Sequence, residues 1–229
     1  MKFAVLGAKG AVGSSLVDQA TARGHEIVAI EPDWSGMTSR AGVTPVEGDV
    51  LKSDLSEAFA GCDAVLSALG VGNSTKVLLD PPPLYTQGTT NILRGMAKTG
   101  VSRLVVISAT FVQTKHRGPL YFRLPVMAAL HNVLDQIAEM EALLRSSEVD
   151  WTAVRPGWLM KGELTADYTV TPDAIPEDMI RTRMADVAHF MLHCAESGEW
   201  SRATPAIARH EDAEATSLST VVHEIMGAG

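Results

Sequence analysis

The sequence predicts an α/β fold in which a doubly wound parallel sheet carries helices on both of its faces. Two observations lead to this expectation. Short apolar runs alternate with amphipathic segments along most of the 229 residues. The first apolar run, residues 2–6, is followed by a glycine-rich turn, a helical segment at 14–23 and a second apolar run at 26–30. That unit fills about 30 residues, which is the length of a right-handed βαβ crossover with parallel strands.

The same alternation continues beyond the first unit. Further strands are expected at 43–46, 64–68, 104–108 and 149–155, and helices at 53–60, 84–98, 126–145 and 184–195. Pro45 lies inside the third strand, and proline is tolerated mainly at sheet edges because it removes a ladder donor. In the strand order 3-2-1-4-5-6 the third strand lies at or near an edge, so this proline agrees with the predicted topology.

The alternation loosens in the last third of the chain. Residues 109–125 and 156–183 are expected to supply small substrate-side elements, while 113–118 is expected to be a loop. A late strand is expected at 203–208 and a terminal helix at 218–226. No linker or repeat divides the sequence, so one domain over residues 1–229 is expected.

Composition excludes several classes of function. The net charge of −8 argues against nucleic acid, whose phosphates demand basic surface. Cys62 and Cys194 are far apart and have no metal-type spacing, so reduced core cysteines are expected, with no metal and no disulfide. No apolar segment approaches the roughly 20 residues of a membrane helix, and the first apolar run is too short for a signal peptide. A cytoplasmic protein without membrane partners is expected.

The first turn has the spacing G-x-x-G-x-x-G, from Gly7 through Gly10 to Gly13, and lies between a strand and a helix. In this context the first glycine permits the tight turn, and the second lets the backbone approach a pyrophosphate. The third lets the helix pack closely on the strand. The helix N-terminus adds free N–H groups and the positive end of a dipole. The turn therefore predicts a bound dinucleotide.

Further motifs extend the pattern, and together they resemble the atypical short-chain dehydrogenase/reductase group. They are Gly7-Ala8-Lys9-Gly10-Ala11-Val12-Gly13, Gly48-Asp49-Val50, Cys62-Asp63-Ala64-Val65, Val105-Val106-Ile107-Ser108, Leu144-Arg145-Ser146-Ser147 and Trp151-Thr152-Ala153-Val154-Arg155-Pro156-Gly157. Within that group, residues 166–171 and 186–192 are most similar to the branch of NAD(P)H-dependent flavin reductases and biliverdin reductase B. NmrA-like redox sensors share the nucleotide motifs.

The resemblance implies a Rossmann sheet with the adenine near Asp49 and the nicotinamide near Ser108 and residues 156–158. These positions follow strands at their carboxyl ends, where open α/β sheets bind ligands. An alternative for Asp49 is a turn or helix-capping residue. The expected dinucleotide-binding residues are Gly7, Ala8, Lys9, Gly10, Ala11, Val12, Glu31, Arg40, Asp49, Val50, Ala68, Leu69, Gly70, Ser108, Ala109, Pro156, Gly157 and Trp158.

The choice between NAD and NADP depends on the end of the second strand. An acidic residue about 20 residues beyond the turn accepts hydrogen bonds from the ribose hydroxyls and repels a 2′-phosphate. Glu31 lies there, whereas the flavin reductase branch usually carries an arginine. Lys9 and Arg40 offer a competing interpretation, because either cation can hold a 2′-phosphate by proximity. The balance favours NADH.

The chemistry expected at the nicotinamide is hydride transfer by proximity. Dehydrogenases that oxidise alcohols use Tyr-x-x-x-Lys, but Thr89, Pro125 and Pro172 occupy the fourth position after the three tyrosines. The resemblance places a serine where this chain has Ala109, so Ser108 and Thr110, which flank it, are the expected catalytic residues. Ser108 has two alternatives: to orient the carboxamide, or only to bond the backbone. His116 and His131 are the other titratable candidates.

Five large apolar side chains follow the fifth and sixth strands and are expected to form a shelf for a flat substrate: Phe111, Tyr121, Phe122, Trp158 and Met160. Core packing is the alternative. The favoured function is an NAD(P)H-dependent reductase that passes a hydride to a flavin or quinone, with flavin as substrate and not as tightly bound cofactor. The alternatives are a non-catalytic NmrA-like NAD(P) sensor and an NAD-dependent epimerase or dehydratase. A monomer or homodimer is expected.

Overall fold

The computed structural model describes residues 1–35, 40–71, 77, 79–114 and 120–212, with the backbone alone for 120–129. Ten strands are described: β1 (Lys2–Leu6), β2 (Glu26–Glu31), β3 (Val43–Glu47), β4 (Ala64–Ser67), β5 (Arg103–Ile107), β6 (Asp150–Pro156), β7 (Trp158–Met160), β8 (Thr169–Pro172), β9 (Arg181–Arg183) and β10 (Pro205–Ala208). Six helices are described: α1 (Ala11–Ala22), α2 (Ser56–Phe59), α3 (Gln87–Thr99), α4 (Phe111–Thr114), α5 (Leu120–Ser146) and α6 (Met184–Ser197).

Eight of these strands form the central sheet, in the order β3-β2-β1-β4-β5-β6-β10-β8. The first six follow the predicted order 3-2-1-4-5-6 and are all parallel. β10 continues the sheet parallel to β6, and β8 closes it as an antiparallel edge strand. β7 and β9 pair separately as a two-stranded parallel sheet. This Rossmann-like α/β fold confirms the predicted fold class.

Some details of the helices and strands agree with the sequence prediction, and others differ from it. Pro45 does lie in the edge strand β3, opposite Ala29. α1 begins three residues earlier than expected, because Gly10 serves as its N-cap. Residues 169–172 were expected among the substrate-side elements, but they pair with β10 and extend the central sheet. The expected helix at 218–226 and His116 lie outside the described residues.

The core has two layers, one on each face of the sheet, because fully buried parallel strands direct alternate side chains to opposite faces. Phe3 and Val5 of β1 face α1 and α6, while Ala4 and Leu6 face α2, α3 and α5. Cys62 and Cys194 are free and buried, as expected. None of the helices in the described part of the chain combines the length and apolar character needed to cross a bilayer.

The turn after β1 brings the backbone of α1 against the backbone of the turn itself. Gly7 has a left-handed φ of +75°, and its carbonyl accepts a 3.0 Å hydrogen bond from the N–H of Gly10. A Cβ on Gly13 would lie 1.9 Å from that same carbonyl oxygen, and a Cβ on Gly10 would lie 3.2 Å from it. The third glycine is therefore a steric requirement of the turn, whereas the second is far less restricted in the folded chain.

This difference predicts unequal effects of two matched substitutions. Gly13→Ala is expected to lower the free energy of unfolding by about 2 kcal/mol or more, because neither the turn nor the helix can yield without moving backbone. Gly10→Ala, one helical turn away and at a φ of −66° that alanine adopts readily, is the control. Urea unfolding of both variants measures the difference. Equal stability of the two variants would contradict the close approach of Gly13 to the Gly7 carbonyl.

Candidate functional site

The start of α1 forms an open cradle at the carboxyl end of β1. No side chain caps the helix at Gly10, and its first turn contains no acidic residue. The first backbone bond of the helix runs from the N–H of Ser14 to the carbonyl of Gly10, at 2.7 Å. The N–H groups that precede Ser14 have no partner within the helix, and the dipole adds positive potential there. Such a terminus fits the diphosphate of a dinucleotide.

Glu31 closes one side of this cradle. Its Oε1 accepts a 2.6 Å hydrogen bond from the backbone N–H of Lys9. The Lys9 ammonium extends further and donates to the carbonyl of Asp33 at 3.0 Å. The hydroxyl and then the backbone N–H of Ser35 hold the pKa of Asp33 below its usual range, with a smaller contribution from Lys9. Two carboxylates therefore accompany one ammonium beside the turn.

Arg40, expected to reach the same position, is engaged elsewhere. Its guanidinium pairs with the carboxylate of Asp18 on α1, and both side chains are about half exposed. In this arrangement Arg40 fastens the loop before β3 to the outer face of α1. Of the two cations considered from the sequence, only Lys9 lies beside Glu31.

The residues after β3 and β4 meet the cradle along the same edge of the sheet. Asp49 Oδ1 accepts a 2.9 Å bond from the N–H of Leu51, and this bond, followed by the contact with Lys52, lowers the pKa of Asp49. The Asp49 carboxylate therefore stabilises a turn of its own backbone, which is the alternative role that the sequence allows for this residue. Val50 is buried. Ala68 lies closest to the cradle, since its carbonyl would be 2.7 Å from a Cβ on Gly7. The half-buried Leu69 and the exposed Gly70 follow it.

Ser108, at the end of β5, belongs to a buried polar cluster that was not predicted from the sequence. Its hydroxyl donates to Glu141 Oε1 at 2.7 Å. Arg155 binds both oxygens of the same carboxylate, from Nε at 2.8 Å and from Nη2 at 2.6 Å. Arg145 adds a bond at 2.9 Å. Glu141 and Arg155 are 1% and 0% exposed, so this ion pair is removed from water.

The protonation state of Glu141 follows from these contacts. Burial alone raises its pKa, but hydrogen bonds from Arg155 and Ser108 and the charges of Arg155 and Arg145 outweigh burial, and the pKa falls below its usual range. The carboxylate is therefore ionised at neutral pH and accepts the proton of Ser108. With its single O–H directed at Glu141, Ser108 offers only lone pairs to any ligand at the strand end.

Two features of the sequence, taken together, indicate this buried cluster. Glu141 falls at helical spacing from Ile137 and Leu144, so it lies on the buried face of α5. Arg155 is the one charged residue among the buried positions 151–156 of β6. Two consecutive elements of the chain thus each carry a charged residue on a buried surface. Such residues are expected to form an ion pair with each other, because buried charges are rarely unpaired.

The other expected catalytic residue, Thr110, is fully buried. Its hydroxyl accepts a 3.2 Å bond from the N–H of Ile175, and its own N–H donates to the carbonyl of Pro156 at 3.0 Å. Thr110 therefore fastens the segment after β5 to the end of β6, and its hydroxyl does not face an open pocket. Ala109 beside it is half-buried. His131 lies exposed on α5, where it pairs with Asp135 of the same helix.

The expected apolar shelf is described for three of its five residues. Phe111 and Trp158 meet edge to face, with ring centroids 5.9 Å apart and planes at 60°. Both are partly exposed, as is Met160 at the end of β7. Tyr121 and Phe122 lie in the part of α5 for which only the backbone is described, so their side chains lie outside the described residues.

Gly157 sets the position of Trp158. A Cβ on Gly157 would lie 2.3 Å from the carbonyl of Ile180, so only glycine permits this approach of the two chain segments. The N–H of Trp158 then donates to that carbonyl at 2.6 Å, where β7 begins to pair with β9. The small sheet therefore fixes the backbone of Trp158 directly after the end of β6.

Metal ligation finds no support in the described residues. No group of three or more histidine, cysteine, aspartate or glutamate side chains in that part of the chain is placed to hold an ion. The arrangement at the carboxyl edge combines a phosphate cradle, a carboxylate beside it, an oriented serine and an aromatic pair. It has the chemistry of a nucleotide-binding site.

Two relatives by sequence are informative. An uncharacterised protein of Mycobacterium tuberculosis is 31% identical over 109 residues, which are 48% of this chain and 12% of that protein. The 3-diazoavenalumate denitrifying reductase of a Streptomyces species is 29% identical over 183 residues, which span 69% of this chain and 56% of that enzyme. The chain thus spans less than two thirds of the length of either relative.

Solved structures show the same fold. A candidate NAD-dependent epimerase/dehydratase from Bacillus halodurans is 25% identical, with a TM-score of 0.73 over 98% of this chain and 99% of that one. A candidate NADH-flavin reductase from Streptococcus pneumoniae is 23% identical, with a TM-score of 0.72 over 92% and 100% of the two chains.

The family profile described as NAD(P)H-binding matches residues 7–197, from the first glycine of the turn to the last residue of α6. This match covers well over half of the chain and agrees with the resemblance found in the sequence motifs. The protein therefore belongs to the NAD(P)H-binding family.

Proposed function

We propose that the protein is an NADH-dependent reductase that passes a hydride to a flat conjugated acceptor such as a flavin or a quinone. The observation that carries this proposal is the partly exposed pair Phe111 and Trp158, which follows the strand ends beside Ser108. Aromatic faces and edges are suited to hold a planar ring next to a nicotinamide. The named reductase among the relatives supports the same class of reaction.

The preference for NADH rests on the contact between Glu31 and Lys9. The backbone N–H of Lys9, a natural donor to a 2′-phosphate, is already bonded to the Glu31 carboxylate. A 2′-phosphate at this position would have no hydrogen bond from the Lys9 N–H and would lie beside the negative charge of Glu31. The cost is on the order of 1 kcal/mol or more in a half-exposed site. A ribose hydroxyl, in contrast, donates to the carboxylate.

Ser108 is proposed to orient the nicotinamide. Because its proton is directed at Glu141, its lone pairs are suited to accept a bond from the amide N–H₂ of the carboxamide. The buried partner Arg155 fixes Glu141, and so the serine is oriented before any ligand arrives. When bound, the dihydronicotinamide supplies the hydride, and the proton that completes a two-electron reduction is taken from solvent.

A second candidate is favoured by the state of the two hydroxyls. Ser108 has its proton committed to Glu141, and Thr110 is fully buried. A non-catalytic sensor, which binds NAD(H) and reports redox state to a partner, needs no acid or base at this edge. The same finding, with the absence of Tyr-x-x-x-Lys from the sequence, argues against epimerase or dehydratase chemistry.

Turnover separates the reductase from the sensor. Purified protein mixed with NADH and FMN is expected to oxidise NADH in repeated cycles. This oxidation is measured as loss of absorbance at the nicotinamide band. Menadione, a simple quinone, serves as a second acceptor. Binding of NADH without turnover for either acceptor would overturn the reductase proposal and favour the sensor.

The cofactor preference is tested by Glu31→Arg. This substitution removes the carboxylate from the Lys9 N–H and adds a guanidinium, so the ratio of the Kd values for NADPH and NADH is expected to fall at least tenfold, which is about 1.4 kcal/mol. Glu26→Arg, the same substitution at the exposed opposite end of β2, is the control. Calorimetric titration measures both constants. A ratio that is unchanged in Glu31→Arg would show that residue 31 does not contact the ribose.

The buried cluster predicts a dependence of stability on pH. Glu141→Gln leaves the buried Arg155 with only the exposed carboxylate of Asp173, 3.7 Å from its Nη1, as a charged partner. The free energy of unfolding at pH 7 is therefore expected to fall by about 3 kcal/mol. Because the pKa of Glu141 is lowered in the folded state from 4.5, its contribution is present above that pH and is lost as the pH falls below it.

Urea unfolding at several pH values measures this effect. The variant is expected to lose less stability on acidification than the original protein. Glu139→Gln, at an exposed position on the same helix, is the matched control. Equal stability of the two variants at pH 7 would contradict the role given to the buried pair.

A further inference from the structure

The end of β6 leads directly into the aromatic pair of the proposed reductase site. Pro156 is the last residue of β6, and Gly157 joins it to Trp158, the first residue of β7. Glycine is required at this junction by the close approach of the Ile180 carbonyl. Glycine also has the greatest backbone freedom of all residues, so contacts to the backbone itself must fix the direction in which the chain leaves β6.

The peptide group that joins Pro156 to Gly157 is held at both of its polar atoms. Its carbonyl accepts a 3.0 Å hydrogen bond from the N–H of Thr110. Its N–H donates to the hydroxyl oxygen of Thr182 at 2.9 Å and, over a longer 3.3 Å, to the carbonyl of Ile207. Because a peptide group is planar and stiff, contacts at its two ends fix its orientation.

These two contacts lead to the two aromatic residues. Thr110 directly precedes Phe111 in the chain, and Gly157 directly precedes Trp158. One peptide group therefore lies between the backbone of one ring and the backbone of the other. The edge-to-face contact of the rings, with centroids 5.9 Å apart, depends on the orientation of that group.

Thr182 supplies the side-chain contact in this arrangement. It is the middle residue of β9 and is 1% exposed. Its hydroxyl accepts the N–H of Gly157 and donates to the carbonyl of Ile207 at 2.7 Å, so both its proton and a lone pair are used. Valine has the same branched shape and is equally suited to a buried strand, so packing alone does not require the hydroxyl. The polar atom serves the backbone that leads to Trp158.

We propose that Thr182 is a positioning residue, which acts through the N–H of Gly157 to hold Trp158 in the orientation that binds the ring of the hydride acceptor. This inference rests on the proposed reductase function, because it concerns acceptor binding. The hydroxyl is buried and acts through the backbone, not by contact with the acceptor. Without it, the N–H of Gly157 keeps only the longer bond to Ile207, and the indole of Trp158 is less restricted.

Thr182→Val tests this role, because valine keeps the branched shape and removes the hydroxyl. At saturating NADH the KM for FMN is expected to rise about fivefold, which corresponds to the loss of one hydrogen bond. The kcat is expected to change less than about twofold, because the nicotinamide that supplies the hydride is oriented by Ser108 and not by Thr182. Thr182→Ser keeps the hydroxyl and is expected to retain most of the original affinity for FMN.

Thr152→Val is the matched control. Thr152, the third residue of β6, is also fully buried. Its hydroxyl likewise accepts one bond, from Arg103 at 2.7 Å, and donates one, to the carbonyl of Trp200 at 2.8 Å. Thr152→Val is expected to leave the KM for FMN unchanged. A merely structural role of Thr182 would make the two valine variants behave alike.

The indole of Trp158 provides a measurement that does not depend on turnover. In protein that carries 5-fluorotryptophan at its four tryptophans, Trp158→Phe assigns the ¹⁹F resonance of residue 158. This resonance is expected to shift or broaden in Thr182→Val and to keep its original position in Thr182→Ser and Thr152→Val. The resonance of Trp34, whose indole bonds to Val46 beside β2, is expected to stay in place in all variants.

The outcomes separate this inference from the proposed function. If the original protein reduces FMN and Thr182→Val keeps its KM, the role given to Thr182 is wrong and the reductase proposal stands. An unchanged Trp158 resonance in Thr182→Val, or an equal rise in KM in Thr152→Val, would also overturn that role. If the original protein reduces neither FMN nor menadione, the proposed function fails, and the role of Thr182 in acceptor binding fails with it.

Discussion

The carboxyl edge of the sheet depends on one buried ion pair, between Glu141 of α5 and Arg155 of β6. Removal of two charges from water is unfavourable unless all their hydrogen-bonding capacity is used. Glu141 meets this requirement with four bonds, one from Ser108, two from Arg155 and one from Arg145. Arg155 donates in addition to the carbonyl of Asp173 at 2.7 Å. The pair thereby joins β5, β6, α5 and the segment after β8, and it decides which way the hydroxyl of Ser108 points.

The same pair connects the two edges of the sheet. α5 returns along the sheet after β5, so its later residues lie toward the amino ends of the strands. Glu141 faces Ser108 at the carboxyl end, and Arg145, one helical turn later, lines a cavity with Trp151 at the amino end of β6. Asp173 also contacts both, through its carbonyl to Arg155 and its place in the cavity wall. Arg145 and Ser108 are therefore joined through a single intervening side chain, that of Glu141.

The strand order and the position of the nucleotide cradle were predictable, because both depend on local signals that tertiary contacts do not override. Buried parallel strands require continuous apolar runs, and the close contact of Gly13 with the Gly7 carbonyl admits no side chain. The cluster around Glu141 was harder to predict, since a glutamate in a charged helix is typical of a solvated surface. β8 is short and half polar, and its pairing with β10 depends on residues more than 30 positions later. The partner of Arg40 depends likewise on a contact distant in sequence.

Under the proposed function, the charges on β9 and on the segment after β10 favour an acceptor that is recognised by its ring. Arg183, at the end of β9, forms two bonds to Glu211 at 2.7 and 2.8 Å. Arg209 lies 3.5 Å from the same carboxylate and 3.7 Å from Asp167. Guanidinium groups that are neutralised in this way attract an anionic ligand group only weakly. The ligand's negative charge is attracted by the guanidinium groups and repelled by the carboxylates paired with them. In the proposed reductase, contact area with Phe111 and Trp158 would then supply most of the binding free energy for the reacting ring. The same pairing would let the proposed site take acceptors that share a flat conjugated ring and differ in their other substituents.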